Sequence, residues 1–122
     1  MPSYEDNLYY HPEKSGLETV GELEYSSGNY EFDTRVVWFH AASGRLLTAR
    51  DSGCSCPTPF EEFTIETVED ISSRFGSFLM DEYRTEVKDH DWRAAYVNRE
   101  EVDSLIAKCA AKFAVADAVS TL

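Results

Sequence analysis

The residues with the clearest chemical potential lie in one short loop, where a single residue separates Cys54 from Cys56. Two thiolates at this spacing could contribute to a metal site, but zinc normally takes four ligands in paired spacings. The other candidate ligands are scattered along the chain: Cys109, His11, His40 and His90. We therefore expect no metal site and no cofactor, and we interpret Cys109 as a core residue.

A catalytic site would need a nucleophile, a base and an orienting group within mutual reach. His40 ends a predicted strand, and Asp51 and Cys54 could approach it if the second and third strands pair. No phosphate loop, dinucleotide fingerprint or zinc-protease motif accompanies these residues. We predict that the protein is not an enzyme. A small metal- or thiol-dependent enzyme centred on Cys54, Cys56 and His40 is an alternative.

The charge of the chain restricts its partners. Among 122 residues, 23 are acidic and 11 are basic, which gives a net charge of −12. This excess argues against direct binding to nucleic acid or to an anionic membrane. It favours a protein partner with a basic surface, such as one that itself binds nucleic acid. The excess is uneven, because residues 1–70 contain 14 acidic and 4 basic residues, a balance of −10.

Acidic and apolar residues alternate in two predicted strands, at about 17–26 and 30–40. If Tyr25 pairs with Tyr30, or with Phe32 after a shift of the turn, acidic side chains from both strands share the outer side of a hairpin. We predict that this acidic face binds cationic groups of a partner. Its members are Glu18, Glu22, Glu24, Glu31 and Asp33. Two alternatives are a solvated face that only maintains solubility and a site for hard cations.

The predicted elements place strands before helices. A third strand spans about 45–51, and two principal helices span about 67–87 and 99–117. Thr67 with Asp70 resembles a helix cap, and Asn98 with Glu101 forms a capping box. This order predicts an α+β domain, in which a three-stranded antiparallel β-meander carries both C-terminal helices on one face. We expect that face to hold the apolar residues of the second strand: Tyr30, Phe32, Thr34, Val36 and Trp38.

The two ends of the chain suggest a simple organisation. Prolines and a glycine interrupt residues 1–16, which we interpret as an N-terminal arm held by its tyrosines. Residues 17–122 then form the single α+β domain. We expect neither a signal peptide nor a membrane span. The odd number of cysteines, 3, fits a reducing cytosol better than secretion.

The least generic motif is Ser52-Gly53-Cys54-Ser55-Cys56-Pro57, followed by Pro59-Phe60-Glu61. Through this motif, and through weaker matches in the strands, residues 9–62 resemble a family of small uncharacterised proteins encoded by phages of actinobacteria. The strand matches are Leu17-Glu18, Val20-Gly21-Glu22, Tyr30-Glu31-Phe32-Asp33 and Val37-Trp38. That family has no assigned activity, so no residue role follows. The resemblance implies a phage protein that acts in the cytoplasm of a bacterial host.

These observations predict a non-enzymatic phage protein that binds and modulates a host or phage protein through the acidic face. We expect the loop residues Cys54, Cys56 and Phe60 to provide a second contact. A structural phage component that assembles with copies of itself is another alternative.

Overall fold

The computed structural model describes residues 7–26, 31–54, 60, 62–90 and 96–120, with only the backbone of Cys54 and of residues 114–120. The strands are β1 (Leu17–Glu24), β2 (Glu31–His40), β3 (Arg45–Cys54) and β4 (Glu69–Asp70). The helices are α1 (Phe75–Asp89) and α2 (Arg99–Ser120), and a short 3-10 helix spans Pro12–Ser15. The strands form an antiparallel sheet in the order β1-β2-β3-β4. The α+β prediction is confirmed, but the sheet has four strands rather than three.

The fourth strand explains why α1 begins later than predicted. Glu69 and Asp70 pair with Thr48 and Leu47, so their backbone is extended at the point where a helix was expected. Asp70 Oδ1 accepts a hydrogen bond from the Ser72 backbone N–H at 2.9 Å, which turns the chain after β4. The predicted cap at Thr67 is therefore wrong, because sheet pairing delays the helix until Phe75.

Both faces of the sheet are covered, which the sequence did not lead us to expect. Val36, Val37 and Trp38 are consecutive in β2, and all three are fully buried. Val37 and Phe39 belong to the core beneath the helices, with residues of α1 and α2 such as Leu79 and Leu105. The prediction that Val36 and Trp38 face the helices is wrong, because both belong to a second core on the opposite face.

The second core is closed by two segments outside the regular elements. Leu8 and Tyr9 come from the N-terminal arm, and Phe60 and Phe63 come from the segment after β3. The Tyr9 ring stacks on Phe60 with 5.3 Å between centroids, and Trp38 meets Phe60 edge-on at 6.1 Å. The arm is thus packed against the body through an aromatic contact.

A bulge in β1 brings α2 close to the sheet. The β1–β2 register shifts between Thr19 and Gly21, which leaves Val20 as the extra residue. A Cβ atom added to Gly21 would lie 2.8 Å from Leu105 Cδ1 of α2. Glycine at this position therefore permits the close approach of helix and strand.

We expect Gly21→Ala to lower the free energy of unfolding by about 1–3 kcal/mol, the usual cost of overpacking a core. Leu105 is only 3% exposed, so its side chain has little space into which to move. Urea denaturation of the variant measures the change. Gly44→Ala is a poor control, because Gly44 has a φ of 70°, which alanine adopts only with strain. The control is Ala110→Gly at an exposed position of α2. It shows the size of a helix-propensity effect, which is about 1 kcal/mol. Unchanged stability of Gly21→Ala would show that α2 can shift away.

Candidate functional site

The five residues of the predicted acidic face do not share one face. Tyr25 donates its backbone N–H to the carbonyl of Asp33 at 2.8 Å, so Tyr25 lies opposite Asp33 rather than opposite Tyr30. The partner of Tyr25 is thus displaced from Tyr30 to Asp33, an odd number of residues. An odd displacement of the register exchanges the two faces of one strand relative to the other. The predicted register is therefore wrong. Glu22 and Glu24 project to the face of the second core, whereas Glu31 and Asp33 project to the face of the helices.

The carboxylate of Glu24 accepts hydrogen bonds from other residues of the hairpin. Its Oε2 atom accepts hydrogen bonds from the Ser26 hydroxyl at 2.7 Å and from the Asp33 backbone N–H at 2.7 Å. Its Oε1 atom accepts the hydroxyl of Thr34. Glu24 thus organises the end of the hairpin.

Asp33 is buried and belongs to a network of charges between the sheet and α1. Arg50 of β3 donates to its two carboxylate oxygens at 2.7 and 2.9 Å. Arg50 also donates to Glu86 of α1 at 2.9 Å and lies 3.5 Å from a carboxylate oxygen of Glu82. Glu82 in turn binds the guanidinium group of Arg35. Because its carboxylate is enclosed by Arg50, Asp33 is positioned to stabilise the fold rather than to contact a partner.

The surroundings of Arg50 keep it charged. Burial alone would lower the pKa of Arg50, but the hydrogen bond to Asp33 and the charge of Glu82 raise it above its ordinary value. The guanidinium carbon also lies 4.6 Å from the centre of the Tyr25 ring. Burial and the nearby charge of Glu82 raise the pKa of Tyr25, so its hydroxyl stays neutral. Arg50 is therefore a charged group at the centre of the network under α1.

Sequence reasoning missed Arg50, Glu82 and Glu86. Two signals were present in the sequence. Arg35 and Arg50 interrupt strands that are otherwise rich in core residues, and Glu82 and Glu86 are spaced i,i+4 on α1, so both project from one side of the helix. Arginines in strands beside a helix with carboxylates on one side indicate an ion network between the two layers.

Three exposed acidic residues, Glu22, Glu100 and Glu101, border a groove of about 330 Å³ between β1 and the first turns of α2. We call it the acidic groove. Its lining residues are Gly21, Glu22, Asn98, Glu100, Glu101, Ser104, Leu105 and Lys108. Among the described lining residues, Glu100 and Glu101 contribute carboxylates from α2 and Lys108 contributes an ammonium group, whereas Glu22 borders the groove on β1 with its side chain towards the other face of the sheet. The helix begins beside the groove because the Asn98 side chain accepts the Glu101 backbone N–H at 2.9 Å.

The neighbours of the acidic groove define its extent along β1. At one end, Lys112 of α2 binds Glu18. The Tyr9 hydroxyl makes a hydrogen bond with Glu22, and burial together with this contact raises the pKa of Tyr9. Tyr9 therefore remains a neutral donor, and Glu22 is exposed to solvent. Glu31 is also exposed, but it lies on β2 beyond the groove.

The structure separates the residues of the alternative catalytic site. Cys54 pairs with Glu31 at one end of β2, whereas His40 pairs with Arg45 at the other end. Nine residue steps along a strand span about 30 Å, so Cys54 and His40 cannot act on one substrate atom. His40 Nδ1 instead lies 2.6 Å from the Ser43 hydroxyl in the β2–β3 turn. Cys56 lies outside the described residues.

The third predicted contact residue, Phe60, is fully buried. Its backbone N–H donates to Asp51 Oδ2 at 2.8 Å, and its ring fills the second core. A partner therefore cannot reach it while the core is intact. Among the described residues, no group of three or more His, Cys, Asp or Glu is arranged to hold a metal ion.

Cys109 lies in the core beneath the helices, as the spacing predicted. Burial raises the pKa of its thiol to about 11. Because the pKa is higher in the folded state, the neutral thiol contributes to the free energy of unfolding. This contribution is full below pH 9.0, the ordinary pKa of the group, and is lost as the pH rises towards 11.

We expect Cys109 in the native protein to react with iodoacetamide at pH 8 at least ~100-fold more slowly than in urea, because both burial and the small thiolate fraction limit attack. Mass spectrometry of the peptide that contains Cys109 measures the rates. Equal rates in the two conditions would contradict its burial.

The described residues thus define an α+β domain with a buried ion network and an acidic groove. The chain belongs to the family described as "Domain of unknown function (DUF7574)", whose model matches residues 6–116. No curated protein and no solved structure matches it significantly. No helix in the described part of the chain combines the length and apolar character needed to cross a bilayer.

Proposed function

We propose that this domain is a non-enzymatic binding module that recognises a basic surface of a protein partner through the acidic groove. The observation that carries the proposal is a concave surface at the edge of β1 that Glu22, Glu100 and Glu101 border, with Lys108 as the one cation among its described lining residues. Carboxylates clustered in a concavity concentrate negative potential and accelerate encounters with cationic partners. In this proposal, the protein is a phage product that modulates a host or phage protein in the bacterial cytoplasm.

The proposal changes the surface that the sequence suggested. Glu22 remains, and Glu31 is an exposed neighbour that can add to the attraction. Asp33 and Glu24 are replaced by Glu100 and Glu101, because the first two carboxylates are bound within the fold. The larger cavity beside α1, of about 580 Å³, is a weaker candidate because its arginines and carboxylates largely neutralise one another.

The test begins with partners captured from a bacterial lysate, which are then purified and titrated individually. The variant is Glu22→Lys with Glu100→Lys, and the matched control is Glu62→Lys with Glu66→Lys at exposed positions outside the groove. Each Glu→Lys change adds two charges, so both double variants carry −8 rather than −12. We expect the groove variant to weaken binding by at least about tenfold, and the control to change it little at physiological salt.

Two results would overturn the proposal. Equal weakening by the groove and control variants would assign the effect to net charge rather than to the groove. Binding that survives the groove variant and depends little on salt would show that another surface is used, since exposed ion pairs are screened within about 8–10 Å at physiological salt. Circular dichroism of each variant establishes that it is folded.

A further inference from the structure

The outer edge of β1 borders the acidic groove. In the sheet order β1-β2-β3-β4, β1 pairs with β2 on one side only. Within the described residues, no strand pairs with β1 on its other side. An edge strand exposes backbone donors and acceptors that can pair with another chain.

The backbone groups that point outwards can be identified from the register. Hydrogen-bonded and non-hydrogen-bonded pairs alternate along an antiparallel ladder. Tyr25 donates to Asp33, so the pair of Leu23 with Arg35 is also hydrogen-bonded, and the pairs of Glu22 and Glu24 with β2 are not. The backbone N–H and C=O groups of Glu22 and Glu24 therefore point away from the sheet.

The acidic residues beside the outer edge of β1 favour a segment that carries positive charge. A segment lying along β1 at Glu22 would have α2 on one side, where Glu100 and Glu101 project into the groove. A second copy of β1 would bring Glu22 and Glu24 against the same residues of the partner, and like charges directly opposite each other are destabilising. An extended segment with Lys or Arg side chains instead meets carboxylates from both the strand and the helix.

We propose that an extended basic segment of a partner protein binds by adding a strand to the outer edge of β1 at Glu22 and Glu24, with its cationic side chains against the acidic groove. Backbone pairing supplies a defined geometry, and alternate side chains reach the two faces of the sheet. One set faces Glu22, and the other faces Glu100 and Glu101. This inference rests on the proposed function and specifies how the same groove recognises its partner.

The probe is a peptide of about ten residues, a long strand by the usual range, in which Lys-Lys and Thr-Thr pairs alternate so that both faces of the added strand carry Lys. Its matched control has the same sequence with every internal backbone amide N-methylated, which keeps the charge and length but removes the strand donors. We expect the parent peptide to bind at least about tenfold more tightly, because the control loses the backbone hydrogen bonds. Titration at two salt concentrations measures both affinities and the electrostatic contribution.

Hydrogen exchange supplies a readout within the protein itself. At saturating peptide, we expect the outward amides of Glu22 and Glu24 to exchange at least about tenfold more slowly. The amide of Leu23, which already faces β2, serves as the internal control. Glu22→Pro removes one outward donor at an edge position where proline is tolerated. Comparison with Glu22→Gln separates the loss of the donor from the loss of charge, and we expect the proline variant to bind about tenfold more weakly than the glutamine variant.

Equal affinity for the parent and N-methylated peptides, or unchanged exchange at Glu22 and Glu24, overturns the strand-addition inference and leaves binding by the acidic groove in place. Failure of both peptides, together with charge-dependent binding of a folded basic partner, also overturns it. Failure of every basic probe and partner overturns the proposed function as well. If Glu22→Pro does not fold, the peptide pair and the exchange measurement still decide the question.

Discussion

Replacing Arg50 with alanine is expected to lower the free energy of unfolding by about 3–5 kcal/mol, the usual consequence of removing one partner from a buried ion pair. Arg50 donates to Asp33, which is 6% exposed, and to Glu86, which is 8% exposed. Without the guanidinium group, these carboxylates and Glu82 are left close together in a poorly hydrated space. Like charges then repel each other at the junction of the sheet and α1.

Arg50→Met separates the charge effect from packing, because methionine fills much of the space of the arginine stem. We expect it to be nearly as destabilising as Arg50→Ala. Arg84→Ala is the control. Arg84 lies 3.6 Å from Asp81, but both side chains are about two-thirds exposed. Ion pairs on the surface contribute little to the free energy of unfolding. Urea denaturation of the three variants measures the differences. A loss of less than about 1 kcal/mol for Arg50→Ala, the value typical of a surface ion pair, would mean that water replaces the network.

Phe60→Ala is expected to lower the free energy of unfolding by about 3–5 kcal/mol, as for other large aromatic residues removed from a core. Phe60 is fully buried and contacts the rings of Tyr9, Trp38 and Phe63. Its removal takes away the ring on which Tyr9 stacks. We therefore expect the N-terminal arm to detach from the sheet more often, and the second core to become accessible to water.

Phe63→Ala is the matched control, because Phe63 is only partly buried at the margin of the same core. We expect a clearly smaller destabilisation. Urea denaturation measures both variants, and the change in near-ultraviolet circular dichroism between each variant and the parent protein, to which Trp38 contributes, reports whether the second core stays packed. If Phe60 instead served as an exposed anchor for a partner, Phe60→Ala would weaken binding without affecting stability.

Local patterns predicted most of the regular elements. The three main strands begin and end within a few residues of their predicted bounds because period-two alternation and turn residues are properties of short segments. The beginning of α2 was predicted correctly because Asn98 and Glu101 form a cap within one turn. The beginning of α1 was not, since Glu69 and Asp70 are extended only through pairing with β3, which lies distant in sequence.

The register of the β1–β2 hairpin could not be obtained from the pattern of β2. Val36, Val37, Trp38 and Phe39 are all buried, so an apolar residue lies on either face whichever way the strand is turned. A strand with one polar face determines its register, but one covered on both faces does so only weakly. The candidate site shifted for this reason, because the odd displacement moved Asp33 under α1 and left Glu22 at the edge.

The sequence by itself determined the α+β class, the excess of negative charge and the position of Cys109 in a helical core, because each depends on composition or on spacing within one segment. Only the tertiary structure decided which carboxylates are buried in ion pairs and which are exposed. Asp33 meets Arg50 and Arg35 meets Glu82 across 17 and 47 residues, and Glu22 and Glu100 border one groove only because α2 packs against Gly21. A carboxylate counts equally towards the net charge whether it is buried or exposed. Its burial and its neighbouring groups determine whether it stabilises the fold or faces solvent.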